Sequence, residues 1–167
     1  MRNRRLARER ALQFLFQHDI NPPEAVEEEL ERFWESQTSA AIAEDHQPAT
    51  WGKQIEPTPP TPEDSEVRKF GDPLIRGVLE KLSELDSVIE EQTRNWNFDR
   101  IAKVDRNILR LAIYEMLHRD DIPPVVSINE AIDIAKKFST ENSGRFVNGI
   151  LDKVKGKLMR PARTTAD

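Results

Sequence analysis

Apolar residues recur at every third or fourth position along most of this chain, and this spacing limits what it can fold into. Between Leu6 and Phe16 they follow that spacing, with arginines among them. Between Ile101 and Leu117 they form a stripe broad enough to mark a central helix packed on several sides. Such a period is typical of amphipathic helices. No segment shows a convincing run of strand alternation, so we predict an all-α fold with six or seven helices.

Several helix starts can be predicted from capping residues. Residues 21–22 and 72–73 each place an Asn or Asp before a proline, a pair suited to an N-cap and a first turn. Ser127 and Glu130 have the spacing of a capping box. Gly149 lies inside the last predicted helix, where it costs about 1 kcal/mol relative to alanine. We therefore expect Gly149 to permit a close helix crossing.

The helical spacing fails from about residue 38 to residue 65. This stretch holds five prolines among Ala, Thr, Gln and acidic residues, and it cannot bury enough apolar area to offset its ordering entropy. We therefore predict amino-terminal helices over residues 1–37, a Pro-rich acidic flexible linker over 38–65, the remaining helices of the same domain over 66–160, and a disordered tail over 161–167.

The composition argues against catalysis. The 167 residues include no cysteine, which removes disulfides, thiol nucleophiles and cysteine zinc sites. The three histidines lie in different segments without metal-ligand spacing, and no Gly-rich phosphate loop is present. We expect a binding protein that is not an enzyme, with no metal and no cofactor. No apolar stretch approaches the roughly 20 residues of a membrane helix, and the amino terminus lacks a secretory signal, so we expect a cytoplasmic protein with no membrane partner.

The net charge of −5 is unevenly distributed. Residues 19–66 hold thirteen acidic and two basic residues, a net −11, so the rest of the chain carries +6. Residues 1–10 alone contribute five arginines against one glutamate. This asymmetry points to a polyanion-binding face set apart from an acidic segment, although charge runs are more often only solvated surface.

Two segments carry the side chains that suit a polyanion. Arg4, Arg5 and Arg8 share a surface of the first helix while its apolar residues fix it to the core. Guanidinium groups bind phosphates and stack on bases. In the last helix, Phe146 lies beside Arg145 as a stacking surface, a combination common in proteins that bind single-stranded RNA. These residues favour nucleic-acid binding and leave the polymer undecided.

Four blocks of the sequence together resemble the NusB family of bacterial transcription antitermination factors. They are residues 4–16, 105–115, 128–136 and 146–152, and they occur in the family's order. The most specific are the strings INEAI at 128–132 and FVNGILD at 146–152. The resemblance implies two packed helical subdomains with about seven helices. It also implies binding to the boxA element of ribosomal RNA transcripts together with NusE, a small-subunit ribosomal protein, in an antitermination complex with RNA polymerase.

The resemblance assigns residues to both partners by position. The residues implied in RNA binding are Arg4, Arg5, Arg8, Arg145 and Phe146, with Arg2 as a substitute because Leu6 interrupts the basic run, and Asn142 where an acidic residue is common. The residues implied in NusE binding are Phe16, Asp99, Asp105 and Arg106.

Two other functions are open at this point. The chain could be a detached RNA-binding module of this family that serves ribosomal RNA modification. It could also be a helical protein-interaction scaffold with incidental surface arginines. The sequence leaves open whether the free protein is a monomer or a homodimer.

Overall fold

The computed structural model describes residues 2–38, 59–94 and 98–159, and within these ranges the chain is helical without any strand. This confirms the predicted all-α class. The elements are α1 (Arg2–Ile20), α2 (Val26–Ser36), α3 (Pro62–Glu80), α4 (Leu82–Gln92), a 3₁₀ helix (Phe98–Arg100), α5 (Lys103–His118), α6 (Pro124–Phe138) and α7 (Glu141–Met159). In the described part, no helix is both long and apolar enough to cross a membrane.

The chain forms two compact units, Met1–Pro73 and Leu74–Asp167, and the division falls inside α3. The first unit contains α1, α2 and the first half of α3. The second contains the end of α3 and the helices that follow. Most of the predicted linker and the whole predicted tail lie outside the described residues.

The first unit is built around the indole of Trp34. This side chain is buried, and its Nε1 donates a hydrogen bond to Asp72 Oδ1 at 2.9 Å. A Cβ placed on Gly71 would lie 2.7 Å from the Trp34 ring, so only glycine lets α3 approach this closely. The rest of its buried apolar core comprises Ala7, Ala11, Leu12, Phe14, Leu15, Leu30 and Val67.

The second unit is organised by α5, which packs against α4, α6 and α7. Its apolar side chains are buried from Ile108 to Ile113, as the broad stripe predicted. Two of its buried polar side chains bond to neighbouring helices. Arg110 donates to both oxygens of Asp86 at 2.6 and 2.8 Å, and Ser127 Oγ donates to Glu115 Oε1 at 2.9 Å.

Three predicted helix starts are wrong. Helix α2 begins at Val26, and its N-cap Ala25 makes no side-chain hydrogen bond. Asp72 lies inside α3, where it accepts from Trp34 instead of capping a new helix. Ser127 lies inside α6, which begins at Pro124. In the last two cases a buried partner on another helix uses the side chain that the local pattern assigned to a cap.

The predicted linker also ends too late, because α3 already begins at Pro62. Thr61 Oγ1 accepts from Asp64 N at 3.0 Å, and Thr61 N donates to Asp64 Oδ2 at 2.9 Å. These reciprocal bonds are a capping box. Pro62 occupies the first turn of α3, where the missing backbone N–H costs little.

The expectation for Gly149 is wrong as well. A Cβ at this position would meet no atom within 4 Å, so none of the described helices crosses closely there. The close approach in the second unit is at Gly77, where a Cβ would lie 2.1 Å from Tyr114 Cζ.

Candidate nucleic-acid interface

One candidate nucleic-acid-binding region lies in the first unit, at the start of α1. Arg2 and Arg4 are exposed, Arg5 is half-buried, and Arg8 is only 3% exposed. Helical spacing places Arg4 and Arg8 on one face because they are four residues apart. Arg2, Arg4 and Arg5 therefore present surface to a ligand, as does the half-buried Arg10.

A phenylalanine on α3 holds two of these arginines. The guanidinium carbon of Arg4 lies 4.7 Å from the centroid of the Phe70 ring, and that of Arg8 lies 5.2 Å from it. Both distances are within the range of cation–π attraction. Phe70 was not predicted as a site residue. The local sequence gives no sign of its role, because the contact joins segments more than sixty residues apart.

The structure changes the expectation for Arg8. A side chain this deeply buried cannot reach a phosphate without a rearrangement of α1. Its contact with Phe70 links α1 to α3 within the first unit. Arg8 therefore has a structural role, and the exposed arginines lie closer to the solvent.

A separate candidate region lies in the second unit, in the first two turns of α7. Asn142 and Arg145 are exposed, and Phe146 is half-buried. The helix begins at Glu141. Thr140 Oγ1 caps it by accepting from Ser143 N at 3.0 Å. The three predicted residues thus share one well-defined helix start.

This start is fixed to α5 by hydroxyl groups. Ser143 Oγ donates to Asp105 Oδ2 at 3.0 Å, and the Ser139 hydroxyl lies 2.8 Å from the Ser143 hydroxyl. Asp105 is 7% exposed, and its Oδ1 has no hydrogen-bond partner among the described residues. Burial raises the pKa of the Asp105 carboxyl, while hydrogen bonds from Ser143 and Ser139 oppose that rise.

The residues predicted to bind NusE are in different environments. Phe16 on α1 is half-buried and Asp99 in the 3₁₀ helix is exposed. Asp105 and Arg106 are each 7% exposed, and the Arg106 guanidinium lies 4.8 Å from the centroid of the Phe98 ring. Phe16 and Asp99 therefore present surface, whereas Asp105 and Arg106 face the interior of the second unit.

Comparison with known proteins gives consistent matches over nearly the whole chain. The NusB family model matches residues 5–156. The transcription antitermination protein NusB of Anaeromyxobacter dehalogenans (strain 2CP-1) is 44% identical over 157 residues, covering 94% of this chain and 92% of that protein.

Solved structures match the fold. NusB from T. maritima superposes with a TM-score of 0.67 at 37% identity, covering 92% of this chain and 91% of that one. A chain from a structure of the antitermination factors NusB and NusE in complex with double-stranded RNA also gives a TM-score of 0.67. That match has 24% identity and covers 94% of this chain and 98% of the other, and it shows the fold alone.

Proposed function

The chain belongs to the NusB family of transcription antitermination proteins, and from that membership we propose that it binds boxA RNA of ribosomal RNA transcripts together with NusE. The resulting complex would join elongating RNA polymerase and support processive transcription. The observation that carries the RNA part is the exposure of Arg2 and Arg4 on α1, with Arg4 held against Phe70. Asn142, Arg145 and Phe146 at the start of α7 supply a second set of polar and aromatic groups.

The chemistry of these groups suits RNA. Arginine binds phosphate oxygens in a bidentate manner and stacks on bases, and a half-buried phenylalanine offers a ring on which an unpaired base can stack. The proposed RNA contacts are Arg2, Arg4, Arg5, Asn142, Arg145 and Phe146. Arg8 is buried against the Phe70 ring that also contacts Arg4, and it has a supporting structural role.

The NusE contacts are proposed from the family resemblance, with Phe16 and Asp99 as the accessible residues. Asp105 and Arg106 would act through the conformation of α5 and the 3₁₀ helix, since both are buried.

We propose that the protein acts by binding alone, in the cytoplasm where bacterial transcription takes place. The buried polar side chains of α5 support this, because Arg110 and Glu115 are engaged in helix-to-helix hydrogen bonds. Such bonds hold the helices together and leave these groups poorly placed to act on a substrate.

The proposal is tested by measuring the affinity for a boxA RNA and a scrambled RNA across salt concentrations, with and without NusE. We expect boxA to bind more tightly and NusE to increase the difference. The double variant Arg4→Ala/Arg5→Ala should reduce the salt slope by about 0.7 for each phosphate of a single strand that the protein no longer binds.

A matched control is the double variant Arg32→Ala/Arg100→Ala, which removes the same charge from two other exposed positions. It should leave the slope close to that of the unchanged protein. Equal losses in both double variants, or equal affinity for boxA and scrambled RNA, would contradict the proposal.

A further inference from the structure

A groove of about 700 Å³ opens between α1 and α2 in the first unit. Three aromatic rings line it. Phe14 and Phe33 meet edge to face with centroids 5.3 Å apart, and His18 lies 6.2 Å from Phe14. Phe14 is buried while Phe33 and His18 are half-buried, so Phe33 and His18 provide the accessible part of this lining and Phe14 supports Phe33 from within.

The polar lining of the groove is predominantly negative. Arg32 is the basic residue among its lining side chains, and it lies 4.0 Å from Glu28 and 3.5 Å from Glu29. Glu24 adds a third carboxylate. The α1 side contributes the neutral amides of Gln13, Gln17 and Asn21. With histidine neutral, the lining side chains sum to −2.

Acidic residues in the first turn of a helix also stabilise that helix, and Glu27, Glu28 and Glu29 occupy this position in α2. Helix stabilisation explains all three equally. It does not explain why Glu28 and Glu29 flank an aromatic cleft together with Glu24.

The negative charge of the groove decides which kind of molecule can bind in it. RNA is excluded because it carries the same sign as the groove. Residues 39–58 of this chain hold three acidic residues and one lysine, so their charge also opposes entry. A cationic protein segment has the complementary sign, and its side chains can pack on aromatic rings while pairing with carboxylates.

We propose that this groove, the α1–α2 groove, binds an arginine- or lysine-bearing segment of a protein partner. A cationic side chain of that segment lies against Phe33 and pairs with Glu24 and Glu28. The end of α1 strengthens this attraction, because the last carbonyl groups of a helix carry partial negative charge.

The groove is separate from the proposed RNA face on the same helix. Arg4 and Gln17 are thirteen residues apart in α1, which is about 20 Å at 1.5 Å per residue. RNA and the cationic segment can therefore occupy α1 together. The groove proposal does not depend on the RNA proposal.

The test uses the full chain labelled with ¹⁵N and a synthetic nine-residue peptide of alternating arginine and alanine. A second peptide carries citrulline in place of each arginine, which keeps the shape and removes the charge. We expect the arginine peptide to shift amide signals of the groove residues, and the citrulline peptide to shift none.

Two double variants with the same net charge separate specific from general attraction. Glu24→Gln/Glu28→Gln removes two groove carboxylates, and Glu27→Gln/Glu35→Gln removes two exposed carboxylates that do not line the groove. The first should weaken peptide binding about fivefold, and the second less than twofold, because isolated exposed pairs contribute little.

Equal weakening by the two double variants, or shifts scattered over other acidic surfaces, would overturn the proposal. Self-association of the full chain that is lost in Glu24→Gln/Glu28→Gln would also overturn it. In that case the occupant would be a second copy of this chain, whose dimer sedimentation velocity detects.

Discussion

At the scale of single residues, Phe70 determines how the arginines of α1 are arranged. Arg4 is exposed and Arg8 is buried, yet both guanidinium groups lie within about 5 Å of the centre of one ring. The ring offsets part of the repulsion between two like charges and restricts the rotamers of Arg4. An arginine already held in place loses less entropy when it binds a phosphate.

Phe70→Leu should therefore weaken boxA RNA binding about threefold, in keeping with the lower end of cation–π energies. Phe70→Tyr keeps an aromatic ring and should restore the affinity. Fluorescence anisotropy with labelled RNA measures both, and circular dichroism checks that each variant is folded. If Arg4→Ala weakens binding while Phe70→Leu does not, the ring does not position Arg4.

At the scale of elements, the start of α7 depends on one buried carboxylate of α5. Ser143 Oγ donates to Asp105, and Thr140 caps the helix that carries Asn142 and Arg145. Burial raises the pKa of Asp105, so the ionised form is less favourable in the folded protein than in the unfolded chain. Its contribution to stability is present below its unfolded pKa and is lost as the pH rises through its folded pKa.

Asp105→Asn removes the buried charge and retains an acceptor for Ser143. We expect its melting temperature at pH 7 to exceed that of the unchanged protein by about 2 °C. The difference should shrink as the pH falls and Asp105 becomes protonated. Asp86→Asn is the contrasting control, since it weakens the part-buried ion pair with Arg110 and should lower the melting temperature. A gain for Asp105→Asn that does not change with pH would contradict this account.

Helix boundaries show how far local sequence determines this fold. The spacing of apolar residues predicted the helices and the central position of α5, because burial of one face follows directly from that spacing. It did not predict that α3 continues through Pro73 or that Ser127 lies inside α6. Asp72 accepts a hydrogen bond from Trp34, and Ser127 donates one to Glu115; both partners are distant in sequence.

The same limit applies to the candidate interface. The arginines of α1 and the residues of α7 could be identified from charge and family resemblance. The burial of Arg8 could not, because the ring that covers it comes from α3. Neither could the α1–α2 groove, which exists only once two helices lie side by side.

At the scale of the whole molecule, charge is separated along the chain. The arginine-rich start of α1 is followed by an acidic stretch that continues to about residue 66. Within that stretch, residues 39–58 lie outside the described structure and carry a net charge of −2. Exposed charges act on one another over roughly 10 Å at 0.1 M salt and over longer distances at lower salt.

Deletion of residues 40–57 should increase the affinity for scrambled RNA at low salt, because acidic side chains that compete with phosphate are removed. The deletion spares Thr61 and Asp64, which cap α3. A variant of full length with Glu44→Gln, Asp45→Asn and Glu56→Gln separates charge from length. If neither variant binds scrambled RNA more tightly than the unchanged protein, the acidic segment does not compete with RNA for the arginines of α1.

Helix α3 belongs to both units and carries one tightly packed glycine in each. Gly71 receives the ring of Trp34, and Gly77 receives the ring of Tyr114. Even the single methyl group of alanine would force a ring or a helix to move at either site. In a saturation library selected for function, these two positions should therefore be among the least tolerant in the chain. Gly149, with open space around it, should accept small side chains freely.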